Sequence, residues 1–208
     1  MGGLPKLIVL AEVAEDSKEV ADEKVEKILD IVKKEKVNYR VFYDQDEAEK
    51  YWVMRRQSFQ LLRTKVKDKQ TAPFVDDICV TPDKLPEFLP KVIKILQNYK
   101  IKVNVVGHAG SGNLHIIPLM DLSKEEEKEK IPKAADEIYK LTIEYGGTIT
   151  AEHNDGIMRT PYVKQMFGGN IYSLFEQVKN IFDPNNIFNP GKKVGGTKEY
   201  MTTHIAGK

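Results

Sequence analysis

Three of the four histidines in this 208-residue sequence lie in two short segments, and their spacing is the feature most able to support chemistry. The first segment reads GHAGSGNLH and carries His108 and His115; the second reads AEHNDG and carries Glu152 and His153. Two histidines and one carboxylate form a ligand set that holds catalytic divalent metals and leaves positions open for a substrate. If His108 ends one strand and His115 begins the next, both imidazoles and the Glu152 carboxylate can converge on one ion.

The residues alone leave other interpretations open. The glycines between the first two histidines could form a hairpin turn that binds nothing. In an extended segment Glu152 and His153 would point to opposite faces, so we expect His153 to act as a general base and not as a ligand of the same ion. Arg55 and Arg56, beside Trp52, could clamp a carboxylate, but a surface charge pair and a core tryptophan are favoured by these residues taken alone.

Short strands must position these segments. Apolar runs and period-two alternation predict strands at residues 7–11, 37–43, 74–80, 101–106 and 114–119, and Glu152 is expected at the end of a further strand. Several of these strands are only half apolar. We therefore expect an α+β fold that is ferredoxin-like, with a largely antiparallel sheet, helices packed on one face and a C-terminal helical subregion.

Amphipathic helices are predicted between the strands. The first follows a capping box at Asp16 and Glu19. The others are predicted at residues 44–63, 82–96, 131–145, 160–167 and 170–182. This order predicts a ferredoxin-like substrate domain over residues 1–150, a C-terminal helical segment over residues 151–195 and a tail over residues 196–208.

Composition and charge exclude several classes of protein. The formal net charge is +1, so no long-range field would attract nucleic acid or an anionic membrane. Cys79 is the lone cysteine, which excludes an intrachain disulfide, and no apolar run approaches the roughly 18–20 residues that span a bilayer. The glycine-rich segment precedes a strand and lacks the order of a dinucleotide fingerprint, which excludes a Rossmann site. We expect a cytoplasmic protein.

Three motifs together resemble the C-terminal domain of FAD-linked oxidases. They are GHAGSGNLH, EHNDGIMRTPY and FDPNNIFNPGK, in this order, and the run VDDICV stands ahead of Pro82 as it does in that family. The resemblance extends from about Pro5 to Lys193. The family includes D-lactate dehydrogenase, the glycolate oxidase flavoprotein subunit and D-2-hydroxyglutarate dehydrogenase, within the vanillyl-alcohol oxidase superfamily.

The resemblance implies roles for the residues of the first two motifs. His108, His115 and Glu152 match the ligands of a divalent metal such as zinc, manganese or iron. His153 matches the base that accepts the proton of the substrate hydroxyl. The metal would lower the pKa of that hydroxyl while the base removes its proton.

Further residues match the family's substrate and flavin contacts. Arg55 matches an arginine that binds the substrate carboxylate, Asn113 a polar neighbour of the substrate, and Asn189 a residue that returns toward the flavin. The sequence departs from the family at Asn154 and Ser111, where glycine and aspartate are usual. Asparagine tolerates the left-handed conformation that a glycine would adopt, so we expect the turn at Asn154 to form.

The resemblance also implies cofactors and partners. FAD would be bound mainly by an N-terminal domain that this sequence lacks, and residues 151–195 would pack toward that domain. The substrate would be a small 2-hydroxy acid of the lactate or glycolate type, which loses a hydride to FAD. Electrons would pass to an iron–sulfur or other electron-transfer partner, which could hold the protein at the periphery of a membrane.

Two alternatives stay open beside this hypothesis. The chain could be a non-catalytic metal-binding or assembly module of a flavoprotein complex. A flavin-free metallohydrolase is compatible with the ligand set but has no sequence feature of its own.

Overall fold

The computed structural model describes residues 7–66 and 68–205, and the chain divides into two units, Met1–Leu62 and Arg63–Lys208. Residues 151–195 lie in the same unit as the sheet, and the C-terminal part of that unit is helical, as expected.

The first unit contains helices and irregular segments. Helix α1 spans Lys18–Lys34, and α2 spans Gln45–Lys65 and so runs past the division between the units. The predicted capping box is wrong by one residue, because Ser17 is the N-cap and its hydroxyl accepts from the Val20 N–H at 3.3 Å.

The two strands predicted in the first unit are wrong. Residues 7–11 and 37–43 lie outside regular secondary structure, and the Leu7 and Val9 side chains are both 72% exposed. A strand is stable only when its backbone N–H and C=O groups find a partner, and these segments pair with no other described strand. Among the described residues, the first unit therefore contributes no strand to a sheet.

The second unit is built on a small antiparallel sheet. Its strands are β1 (Gln70–Thr71), β2 (Asp76–Cys79), β3 (Lys102–His108) and β4 (Asn113–Met120). Strand β4 pairs with each of the other three in antiparallel orientation. The predicted α+β class with an antiparallel sheet is confirmed.

Helices cover one face of this sheet. A 3-10 helix at Pro82–Lys84 leads into α3 (Leu85–Asn98), and α4 (Glu125–Lys128) precedes α5 (Lys130–Glu144). Helices α3 and α5 pack together, and Pro132 lies in the first turn of α5, where its missing N–H costs no hydrogen bond. The core between sheet and helices is apolar and includes Phe74, Ile78, Phe88, Val92, Leu96, Leu114, Ile116, Met120, Ile131 and Ile138.

The C-terminal part of the chain is helical. Helix α6 spans Gly156–Phe182 and is interrupted at Gly168, whose φ of 76° and ψ of 164° break it into the two helices predicted there. Within the predicted tail, α7 spans Lys198–Thr203 and buries Met201 in the core; residues 206–208 lie outside the described part. Part of the predicted tail is thus helical and contacts the core. No helix in the described ranges is both long and apolar enough to span a membrane.

The turn between β3 and β4 depends on Gly112. Its φ is 75°, and a Cβ atom there would lie 1.7 Å from the Val80 carbonyl oxygen. We expect Gly112→Ala to lower the free energy of unfolding by about 2–4 kcal/mol, because it combines backbone strain with a clash. Gly110→Ala is the matched control, since its Cβ meets nothing within 4 Å, and it should stay within about 0.5 kcal/mol of wild type. Urea denaturation measures both, and equal values for the two variants would contradict the prediction.

Candidate functional site

His108 and His115 lie on the same face of the sheet, opposite the face that carries Leu114. The β3–β4 pairing sets His108 opposite Asn113 and Val106 opposite His115, so the two histidines are diagonal neighbours. Side chains alternate along a strand, and Leu114 lies in the core, which directs His115 to the other face. The two imidazole rings are 5.4 Å apart between centroids and nearly perpendicular.

Three imidazoles converge on one carboxylate oxygen of Glu152. Its Oε1 lies 2.9 Å from Nε2 of His115, 3.3 Å from Nε2 of His108 and 3.5 Å from Nε2 of His153. The His115 side chain is only 10% exposed, whereas those of the other three are about half exposed. The cluster is therefore anchored on the sheet and open to solvent on its other side.

Glu152 and His153 stand on a loop, and the strand predicted to end at Glu152 is wrong. After α5 the chain passes β2, where Cys79 and Thr148 exchange two backbone hydrogen bonds of 2.9 and 2.8 Å. Gly147 makes this approach possible, because a Cβ there would lie 2.3 Å from the Cys79 carbonyl oxygen. Since the loop is not extended, the premise that Glu152 and His153 face opposite ways is also wrong.

The turn after this loop forms as expected from its asparagine. Asn154 has a φ of 61°, in the left-handed region, and its side chain accepts a hydrogen bond from the Asp155 N–H at 2.8 Å. The departure from glycine at this position is therefore compatible with the turn.

Asp77 binds the loop that carries Glu152 and His153 through hydrogen bonds. Its fully buried carboxylate accepts hydrogen bonds from the backbone N–H groups of Ala151, Glu152 and His153 and from the Thr150 hydroxyl. Burial raises the pKa of Asp77, but the hydrogen bonds outweigh burial and hold it below its usual value. Asp77 has no predicted role from its sequence context; the available signal is a pair of acids inside an otherwise apolar strand.

Asp76 orients His115. Its Oδ1 lies 2.9 Å from Nδ1 of His115, and the hydrogen bond raises the pKa of that histidine, although burial acts in the opposite direction. In the neutral imidazole, a proton held at Nδ1 leaves Nε2 unprotonated and directed at Glu152. Asp76 was also missed, although it is the first acid of the same pair.

Replacing Asp76 by asparagine should make the stability of the metal-free chain less dependent on pH. Because the pKa of folded His115 is raised, the stabilisation is full below the ordinary histidine pKa and is lost as pH rises through the raised value. We expect Asp76→Asn to cost about 1–2 kcal/mol at acidic pH and less at alkaline pH. Urea unfolding with a chelator at about pH 5.5 and about pH 9 measures the difference. An equal loss at both values would contradict the assignment.

Arg159 on α6 forms hydrogen bonds with both β2 and the loop that carries Glu152 and His153. This buried guanidinium donates to the backbone carbonyl of Asp76 at 2.9 Å and, through Nε, to that of Asn154 at 3.0 Å. It therefore fixes the chain next to both Asp76 and His153. Arg159 could not be predicted as a site residue, because an arginine in an amphipathic helix gives no signal of burial.

The other predicted site residues are placed differently. Asn113 lies beside the cluster and is buried, but its amide donates to Asp77 at 3.1 Å, while its Oδ1 has no hydrogen-bond partner among the described residues. Arg55 lies on α2 and belongs to the first unit. Asn189 is exposed in a left-handed turn with a φ of 46°. Their roles toward substrate and flavin stay predictions.

The donor set suits a divalent cation. Within the described ranges, Asp77, His115, Glu152 and His153 each offer a ligand atom within 4.8 Å of the others. The predicted set contained His108 in place of Asp77 and His153, and His108 does reach the same Glu152 oxygen. Imidazole nitrogens around a carboxylate oxygen are ligands for zinc, manganese or iron.

Comparisons with known proteins agree with the resemblance in the motifs. The family model described as "FAD linked oxidases, C-terminal domain" matches residues 5–193. The chain is 32% identical over 171 residues to the D-2-hydroxyglutarate dehydrogenase of Haemophilus influenzae, covering 82% of this chain and 16% of that protein. It is 32% identical over 194 residues to the glycolate oxidase subunit GlcD of Bacillus subtilis, covering 91% of this chain and 40% of that subunit.

A shorter match adds a third kind of relative. The D-lactate dehydrogenase of Anaerostipes hadrus is 36% identical over 117 residues, which cover 56% of this chain and 25% of that protein. The chain therefore spans less than half the length of these curated relatives. From the family match over residues 5–193, the chain belongs to the FAD-linked oxidases and corresponds to their C-terminal domain.

Proposed function

We propose that this chain is the substrate- and metal-binding C-terminal half of an FAD-dependent oxidoreductase that oxidises a small 2-hydroxy acid. The observation that carries the proposal is the convergence of three imidazoles on the half-exposed Glu152 carboxylate. Relatives that act on D-2-hydroxyglutarate, glycolate and D-lactate support the substrate class, since all three are 2-hydroxy acids.

His108, His115 and Glu152 would hold a divalent metal, and zinc, manganese and iron all suit these donors. The bound ion supplies Lewis acidity, which lowers the pKa of the substrate hydroxyl. Of the three, the His115 side chain is already oriented for metal binding, because Asp76 fixes its ring through Nδ1. His108 and Glu152 are half exposed and can adjust to a ligand.

His153 would take the hydroxyl proton as a hydride leaves C2 of the substrate for the flavin. The products are then a 2-oxo acid, a reduced flavin and a protonated imidazole, so atoms and electrons balance. His153 suits this role because its side chain is half exposed beside the cluster while its backbone is held by Asp77. Arg55 would bind the substrate carboxylate, and Asn113 would contact the substrate.

The second half of α6 would pack toward the flavin-binding domain. Its apolar side chains recur at helical spacing and continue into the following turn, yet they are exposed; they are Ile171, Leu174, Val178, Ile181, Phe182, Ile187 and Phe188. Lys193 links this region to the site through its ion pair with the buried Asp155 carboxylate. The relatives are much longer than this chain, which leaves room for a flavin domain, and Asn189 would face the flavin.

The double variant Val178→Glu, Ile181→Glu should weaken binding to a flavin-bearing domain by at least about tenfold. The two side chains are 54% and 73% exposed, so charging them should not disturb the fold of this chain. Asn180→Glu, at an exposed polar position of the same helix, adds charge away from the apolar row and serves as the control. Analytical ultracentrifugation of the mixed domains measures the affinity, and equal binding by both variants would contradict the assignment.

Flavin reduction tests the proposed function directly. The chain, joined to its natural upstream sequence or mixed with a flavin-bearing subunit, should bleach the flavin absorbance with D-lactate, glycolate or D-2-hydroxyglutarate. Metal analysis of the purified chain should find a bound divalent ion. Bound metal without reduction by any small 2-hydroxy acid would favour a non-catalytic assembly module, and an iron–sulfur or other acceptor would be sought only after reduction is seen.

A further inference from the structure

Asp77 occupies an extra position in β2. The β2–β4 pairing sets Asp76 opposite His115 and Ile78 opposite Leu114, so two steps along β2 match one step along β4. Asp77 is the inserted residue of this β-bulge, and its φ is 71°. Left-handed backbone is uncommon outside glycine, and bulges of this kind re-aim a side chain.

The bulge lets two adjacent acids serve the same site. In a regular strand, Asp76 and Asp77 would point to opposite faces. Here Asp76 meets Nδ1 of His115, while the Asp77 carboxylate reaches under residues 150–153. Ile78 returns to the core face beside Leu114, so the bulge adds the second acid without removing an apolar side chain from the core.

The hydrogen bonds that the Asp77 carboxylate accepts determine whether it can also bind a cation. It accepts six hydrogen bonds from five groups: Asn113 and Glu152 at Oδ1, and each of residues 150–153 at Oδ2. A carboxylate offers about four lone-pair sites. All of them are engaged, so Asp77 has no lone pair left for a cation, although it lies within 4.8 Å of the ligand atoms of three neighbours.

We propose that Asp77 is a positioning residue that acts through Glu152 and His153. It binds three successive backbone N–H groups, which curls the loop so that two neighbouring side chains converge on His115 instead of diverging. The inference rests on the proposed function of those two residues, but the backbone contacts on which it depends belong to Asp77 itself.

Asp77→Gly removes every contact of the carboxylate and keeps the bulge, because glycine adopts the left-handed backbone freely. Asp77→Asn keeps the shape and the left-handed backbone but replaces one acceptor oxygen by an NH₂ group, so it removes only part of the contacts. Asp83→Asn, at an exposed acid in the 3-10 helix, is the matched control. Thr150→Val removes only one donor to Asp77 and serves as a milder variant if the others unfold.

Hydrogen exchange of the full metal-free chain tests the positioning role. In Asp77→Gly, the amides of residues 151–153 should lose about tenfold or more of their protection, while the core strand β4 keeps its protection. Asp77→Asn should lose less, because its amide oxygen can still accept. Thr150→Val should lower the same protection less. Wild-type protection of this loop in Asp77→Gly would overturn the proposal, whether or not the chain binds metal.

Cobalt(II) titration separates a positioning residue from a ligand. The Asp77 variants should bind cobalt about 10–100-fold more weakly than wild type, yet show the wild-type visible spectrum at saturation, because the ligands are unchanged. A changed spectrum at saturation, as expected for Glu152→Gln, would make Asp77 a ligand and overturn the proposal. If wild type binds no cobalt, the proposed metal site fails while hydrogen exchange still decides the role of Asp77.

Discussion

Glu152→Gln should abolish tight binding of a divalent metal while leaving the fold intact. The Glu152 side chain is the only group in the described cluster that approaches all three imidazoles, at 2.9, 3.3 and 3.5 Å. Glutamine has nearly the same shape but no charge, so the site loses its anionic donor. We expect the affinity for zinc or manganese to fall by more than about 100-fold, beyond the loss that an outer-shell partner causes.

The fold should survive this substitution because Glu152 is held by its backbone. Its N–H donates to Asp77 at 3.1 Å, and that contact does not depend on the side chain. Glu144→Gln is the matched control, since Glu144 is an exposed acid at the end of α5, 3.8 Å from Lys140, and should leave affinity unchanged. Isothermal titration calorimetry measures both. Equal affinities of Glu152→Gln and wild type would remove Glu152 from the ligand set.

The sheet could be predicted from the sequence because its strands carry their own pattern. Strand β3 follows the alternation of apolar and polar residues, β4 is largely an apolar run, and the glycines before His115 indicate the turn that Gly112 makes. That register alone places His108 and His115 on one face. The buried faces of helices α3 and α5 could also be predicted, because the apolar residues of each helix recur at helical spacing.

Sequence periodicity gave wrong predictions where contacts between distant residues determine the structure. Residues 7–11 are apolar enough for a strand but pair with no other described strand, so periodicity alone was not sufficient. The loop at Glu152 was taken for a strand because its curvature is imposed by Asp77, which is 75 residues away along the chain. The bulge at Asp77 has no local signature beyond the two acids, and only the β2–β4 register exposes it.

His153→Asn should separate catalysis from metal binding. Its side chain is half exposed and lies at the edge of the cluster, 3.5 Å from Glu152, while its backbone N–H stays bonded to Asp77 at 2.9 Å. If His153 is the base, its loss leaves the ligands in place but removes the proton acceptor. We expect the rate of flavin reduction to fall by about 10²–10⁴-fold, with metal affinity changed by less than about tenfold.

The pH dependence of the reaction distinguishes a base from a structural group. For a base, kcat/KM of the holoenzyme falls at low pH, and His153→Asn should flatten that limb. His204→Asn is the control, because His204 is exposed beyond α7, where its Nδ1 lies 2.7 Å from the Tyr200 carbonyl oxygen, and it should keep both rate and profile. A large loss of metal affinity in His153→Asn would instead make His153 a ligand. The hydroxyl proton would then have to leave through another group, and His108, half exposed at 3.3 Å from Glu152, would be the next residue to substitute.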